Sequence, residues 1–308
     1  MVETIHDQAE GLRRLLVQDC LRVVTVTSGS TGAGRTTTVI NLAAAMVGDG
    51  KNVLVIDENV DAGNISATFG ISAHRDLLDV IRRDKALDEV IISRPGGLFI
   101  LPAGRGMRVL GKLSAGDRAH LIGSFAHLAQ PLDVVLIDAA PGHSSRLLPL
   151  TFSTHEILVV VSPEPASITG AYTLIKHISS HQQDKRDLHV LVNRAHNETE
   201  ARIIFDNMAG TARRYLGVAL NFMGFVAQDN QLCLGRFVAG ELPGSTSAAA
   251  FRRAAESLTH LTYQDGEAKG EGRGLERFMQ GLLQSNQSNQ GNQGNQGSKA
   301  NTVMATSR

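Results

Sequence analysis

The sequence is poor in the features that build disulfide scaffolds, membrane spans and nucleic-acid wraps. Its 308 residues hold two cysteines, Cys20 and Cys233, neither in a C-x-x-C pair. Within one chain that excludes a multi-disulfide framework and a four-thiolate metal site, and points to ordinary thiols in a reducing compartment. No run approaches the ~20 apolar residues of a bilayer-crossing helix. The opening residues, MVETIHD, carry acids and no apolar core, which argues against a secretory leader. Thirty Lys and Arg balance thirty Asp and Glu, so the charge gives no support to a basic nucleic-acid wrapper. The eleven histidines show no metal-ligand spacing. What is present is apolar material: 42 % hydrophobic residues over a length suited to one large α/β domain, or two at most.

Apolar runs of strand length fall at 21–27, 52–56, 98–101, 133–137, 157–161, 189–192 and 221–226. Helical patterns separate them at 36–48, 75–83, 117–129, 169–180 and 198–216. Strands apolar on both faces and alternating with helices predict an α/β fold, a mostly parallel twisted sheet with helices on both faces. Ligands of such sheets bind in loops at the carboxyl ends of the strands. The organisation expected is an N-terminal segment 1–20, a main domain 21–263, a Gly- and charge-rich linker 264–274, an amphipathic helix 275–284 and an Asn/Gln/Gly-rich tail 285–308. The tail has nothing apolar to bury and is expected to be disordered.

The strongest signal is Thr27-Ser-Gly-Ser-Thr-Gly-Ala-Gly-Arg-Thr-Thr37, which follows the first strand and opens a helix. It fits G-x-x-x-x-G-K-[ST] except at the lysine, where Arg35 stands. Glycines let successive backbone N–H groups turn inward, and the helix N-terminus adds partial positive charge, so the loop forms an anion cradle. Gly29, Ser30, Thr31, Gly32, Ala33, Gly34, Arg35, Thr36 and Thr37 are therefore the candidate phosphate-binding residues, with the Thr36 hydroxyl placed for Mg²⁺. The run 133–138 ends in Asp138, where a P-loop fold sets a carboxylate near the Mg²⁺ water shell. Gly142 follows as a turn able to sense a γ-phosphate.

Residues 28–37, 55–64 and 136–142 resemble the deviant Walker A, switch I and switch II of the MinD/ParA group of P-loop ATPases. Within it, the chain is most similar to the flagellar-number regulators of the FlhG/FleN (YlxH) branch. Three stretches carry that narrower likeness: Asp7-Gln-Ala-Glu-Gly-Leu-Arg13, the segment 162–176, and Leu191-Val-Asn-Arg194. The resemblance implies a MinD-like P-loop fold binding ATP or ADP with Mg²⁺. Thr36, Asp57 and Asp138 would serve the metal, the two acids through water, while Asn193 and Arg194 would contact the adenine base. It also implies an ATP-dependent homodimer and a helix at 1–20 that stimulates GTP hydrolysis in a flagellar signal-recognition-type GTPase, with Gln8, Leu12 and Arg13 as the contact residues. A flagellar transcription activator is a further implied partner, with no direct nucleic acid. The helix 275–284 is similar to MinD-type membrane-targeting helices, with Leu275, Phe278, Met279, Leu282 and Leu283 on its apolar face; docking onto the body of the protein or onto another protein is the alternative reading of that face. The implied location is the cytoplasm and the cytoplasmic face of the inner membrane at the pole.

The chain departs from the group at the residues that do chemistry. The lysine that crosses the nucleotide-sandwich dimer is replaced by Ser30, the Walker lysine by Arg35, and the switch I aspartate that orients water by Asn59. An amide holds water but takes no proton, so among the candidate catalytic residues Asp57, Asn59 and Asp138 the second is degenerate. Weak hydrolysis is the expectation. The alternatives are a scaffold that works without nucleotide and a ParA-like partitioning ATPase.

Overall fold

The computed structural model describes residues 21–59, 65–71, 74–128, 131–140, 150, 154, 156–181, 187–233, 244–260 and 275–284. Eight strands make one sheet: β1 Arg22–Ser28, β2 Val53–Asp57, β3 Ile92–Arg94, β4 Leu98–Pro102, β5 Val134–Asp138, β6 Glu156–Val161, β7 Asp187–Ala195 and β8 Leu220–Ala227. Their order is β3-β4-β2-β5-β1-β6-β7-β8, parallel throughout except for the edge pair β3–β4. The Val- and Ile-rich β2, β5 and β6 are buried at every position, as a sheet covered on both faces requires.

Each face of the sheet has its own aliphatic core. On one lie α1 (Arg35–Gly48) and α6 (Thr246–His260), with Val39, Leu42, Phe251 and Leu258 packed on Val24, Val55, Leu136 and Val160. On the other lie α2 (Leu77–Ile81), α3 (Ala115–Ala126), α4 (Pro165–His181) and α5 (Glu198–Leu216), whose apolar residues join Leu54, Ile137, Val159 and Val190. Local signals set the helix ends. Asp76, Ser114 and Asn197 accept N-terminal backbone N–H groups, Pro165 opens α4, and Gly217 closes α5 at φ 67°.

The structure departs from the sequence reading in two places. The edge strand β3 was not expected, because three residues of mixed polarity carry no periodicity. Helix α6 was also missed: its buried face is largely alanine, at 248, 250, 254 and 255, and alanine marks no apolar stripe. For helix α7, residues 275–284, the structure shows the docked alternative. Its stripe of Leu275, Phe278, Met279, Leu282 and Leu283 is 1–6 % exposed and belongs to the core cluster on the α2–α5 face. The face expected to meet a bilayer is turned into the protein here, because that cluster offers the same stripe an apolar partner. None of the helices among the described residues is long and apolar enough to cross a membrane.

Candidate functional site

Register brings the site together at the carboxyl edge of the sheet. Strand β1 runs into the glycine loop, and its neighbour β5 pairs Val26 with Asp138. On the other side of β5, Asp57 of β2 stands directly opposite Asp138. The two acids that ended separate apolar runs thus sit side by side beneath the loop. Strand order turns at β1, whose neighbours β5 and β6 lead away in opposite directions, which is where open α/β sheets leave a crevice for ligands.

The loop is shaped by backbone that only glycine adopts easily. Gly32 has φ 81° and Gly34 φ 89°. A Cβ at Gly34 would lie 2.0 Å from Nδ2 of Asn193, which donates to the Ala33 carbonyl at 3.0 Å. Asn193 is thereby a strut under the loop as well as a wall of the cavity. Helix α1 begins at Arg35 with no side chain capping its N-terminus and no acid in its first turn. Its leading N–H groups and dipole are left facing a cavity of about 510 Å³. Ser28, Ser30–Thr37, Asn59, Asn193 and Arg194 line it, joined by Asp229 and Leu232.

Below the cavity lies a dense polar network. Arg35 donates through Nε to Asp138 Oδ1 and through Nη2 to Asn59 Oδ1 at 2.7 Å. Asp138 Oδ2 accepts from Thr36 Oγ1 and from Asn59 Nδ2, both at 2.7 Å. Asn59 Nδ2 also reaches Asp57 Oδ1 at 3.1 Å, an oxygen that accepts the Asn59 backbone N–H at 2.9 Å. The other Asp57 oxygen takes the Ile65 N–H at 2.7 Å. Burial, followed by the charge of Asp138, pushes Asp57 up to about 6, against these hydrogen bonds. Asp138 is fully buried and Arg35 7 % exposed. Removing either partner of such a pair leaves an uncompensated charge inside the protein.

This arrangement fits a phosphate chain and does not fit Mg²⁺. Thr36, Asp57 and Asp138, the expected metal residues, do come together. Yet all four carboxylate oxygens already accept hydrogen bonds, and a fixed guanidinium stands against Asp138. A divalent ion that requires six oxygen ligands in near-ideal octahedral geometry would have to displace that cation or share its space. Asn59 is bound on both sides of its amide and contributes no base.

Three residues of the cavity lining also hold buried polar atoms without partners among the described residues. Arg194, at φ 60°, pairs with Glu164 through Nη2 at 2.8 Å. Its buried Nε, the Asn193 Oδ1 and the Arg35 Nη1 have no partner among the described residues. Sequence reasoning missed Glu58, which is buried and accepts the Ala140 N–H at 2.8 Å, tying the segment after β2 to the one after β5. It also missed Asp229 and Leu232, which follow β8, since neither lies in a recognisable motif. Gly142, Gln8, Leu12 and Arg13 lie outside the described residues, as do the linker 264–274 and the tail 285–308.

A model of the AAA domain family, AAA_31, matches residues 21–190, from β1 into β7. The chain belongs to the MinD/ParA-type P-loop ATPase family. Within this P-loop family it is 33 % identical to the antiactivator FleN of Pseudomonas aeruginosa over 242 residues, 77 % of this chain and 86 % of FleN. It is 24 % identical to the flagellum site-determining protein YlxH of Helicobacter pylori, over 70 % of this chain and 72 % of that one. The septum site-determining protein MinD of Pyrococcus horikoshii, solved in complex with Mg-ADP, superposes with a TM-score of 0.61 at 22 % identity. It covers 79 % of this chain and 97 % of its own. That likeness establishes the MinD-like P-loop fold.

Proposed function

We propose that this P-loop protein is a nucleotide-binding regulator of flagellar number or placement with weak hydrolysis of its own. The similarity to FleN across most of both chains carries the reading. The open cavity over an uncapped helix start supports the nucleotide half of it. Adenosine di- or triphosphate would lay its phosphates along residues 29–37 and its base toward Asn193 and Arg194. Hydrolysis would be slow because Asn59 accepts no proton and its amide is committed to Arg35, Asp57 and Asp138. Loss of such a group typically costs ~10³-fold in phosphoryl transfer.

Its partners would be a signal-recognition-type flagellar GTPase, engaged by residues 1–20 through Gln8, Leu12 and Arg13, and a flagellar transcription activator. The protein would act in the cytoplasm. A second copy bound across nucleotide, and a bilayer surface met by helix α7, would complete the cycle. Because the α7 stripe is buried in the fold, membrane binding would require that helix to undock. Leu275→Glu should then lower co-sedimentation with anionic vesicles; equal binding would remove the membrane role.

The central test pairs calorimetry with cell counts. ATP or ADP should bind the purified protein, and cells lacking it should show an altered number or position of flagella. Unchanged flagella in the deletion strain would end the regulatory reading. A second reading, a scaffold that presents its helices without cycling, is favoured by one observation: the buried pair of Arg35 with Asp138. Absence of nucleotide binding together with a flagellar phenotype would select it.

A further inference from the structure

We propose that Arg35 takes the place of the divalent metal, so that the cavity binds the phosphates of a nucleoside di- or triphosphate without Mg²⁺. The inference rests on the nucleotide reading above and specifies the ionic form of the ligand. In this protein the buried Asp138 is neutralised from within: Arg35 Nε lies on Oδ1, while Thr36 and Asn59 donate to Oδ2. Every carboxylate oxygen of Asp57 and Asp138 already accepts a hydrogen bond within the protein, and Asp57 Oδ1 and Asp138 Oδ2 accept two each.

The same guanidinium has capacity to spare on its other edge. Arg35 is one of the residues that line the cavity; with its Nε on Asp138 and Nη2 on Asn59, its buried Nη1 has no partner among the described residues. Arginine is the side chain whose planar fork matches phosphate oxygens, and it stays charged where a metal would have to be recruited. The neighbouring α1 N-terminus, with neither a capping side chain nor an acid in its first turn, adds backbone donors on the same side. A phosphate oxygen reaching Nη1 would give a partner to the guanidinium nitrogen of Arg35 that has none among the described residues. A Mg²⁺ ion brought in with the nucleotide would instead meet a like charge already seated on its carboxylate.

Calorimetric titration of the full-length protein with ADP and with ATP, in Mg²⁺ and in EDTA at matched ionic strength, tests this. The expected result is an affinity that changes less than about threefold between the two buffers. In Arg35→Lys, where a compact ammonium replaces the fork, Mg²⁺ should strengthen binding about tenfold or more. The wild-type comparison stands alone should that variant fail to fold. Binding by the wild type that strengthens about tenfold or more with Mg²⁺ would overturn the proposal and leave the nucleotide reading intact. No heat in either buffer would overturn both.

Discussion

Glu156 of β6 and His189 of β7 are buried ionisable residues away from the phosphate site, and both feel the charges of Arg22 and Asp187. Glu156 accepts from Arg22 Nη1 at 2.6 Å, and the same guanidinium nitrogen also reaches the Leu258 carbonyl of α6. Burial outweighs the Arg22 charge, Asp187 adds a like charge, and Glu156 is pushed up to about 7. An acid whose folded value lies above its unfolded one stabilises fully below the unfolded value and loses that contribution as pH rises through the folded one. The protein should therefore lose that contribution mostly between roughly pH 4.5 and 7, with on the order of 1 kcal/mol of the loss falling above pH 6.5. In Glu156→Gln that slope should flatten, as read by urea denaturation at a series of pH values. Burial holds His189 below its ordinary value, so its contribution is lost on the acid side, and the window above about pH 6.5 isolates Glu156. Parallel slopes in parent and variant would mean that Glu156 is ionised throughout.

At the scale of elements, the phosphate loop and α4 meet backbone to backbone. A Cβ built at Gly29 would lie 2.0 Å from the Ala171 nitrogen, and one at Gly170 2.4 Å from the Gly29 carbonyl oxygen. Neither neighbour is a flexible side chain that can swing away, so α4 is a stop against which the loop is set. Gly170→Ala should cost roughly 2 kcal/mol or more by forcing the two apart, and should weaken nucleotide binding with it. Gly210 is the control: it is exposed in α5, and a methyl group added there would meet nothing within 4 Å. Gly210→Ala should raise stability by ~0.5–1 kcal/mol, because alanine loses less backbone entropy in a helix. Thermal melts and nucleotide titration of the two variants separate helix propensity from contact with the loop.

Across the whole molecule, the two cores differ in how they are closed. The α1–α6 face is closed by helices contiguous with the domain, whereas the α2–α5 face is completed in part by α7, which comes after residue 260. Leu282 is 2 % exposed in that cluster. Leu282→Asp should lower unfolding free energy by roughly 2–4 kcal/mol, since it sets an unpaired carboxylate into an apolar seat. A change within about 0.5 kcal/mol, the range typical of surface positions, would mean that α7 does not dock in solution.

Much of this was legible in the sequence for local reasons. Apolar runs ending in Asp57 and Asp138, the spacing of glycines from Gly29 to Gly34, and the heptad-like stripe of 275–284 are each encoded within a short stretch, where periodicity and backbone freedom act directly. The chain alone thus determined the parallel α/β sheet, the glycine-rich loop after β1 and most of the residues that line the cavity. Tertiary structure decided the rest, because partners distant in sequence settle it. Asp57 meets Asp138 only through strand register, and α7 faces inward only because an apolar seat exists for it. Arg35 turns onto Asp138 and Asn59 because a buried carboxylate needs a counter-charge and that guanidinium is within reach.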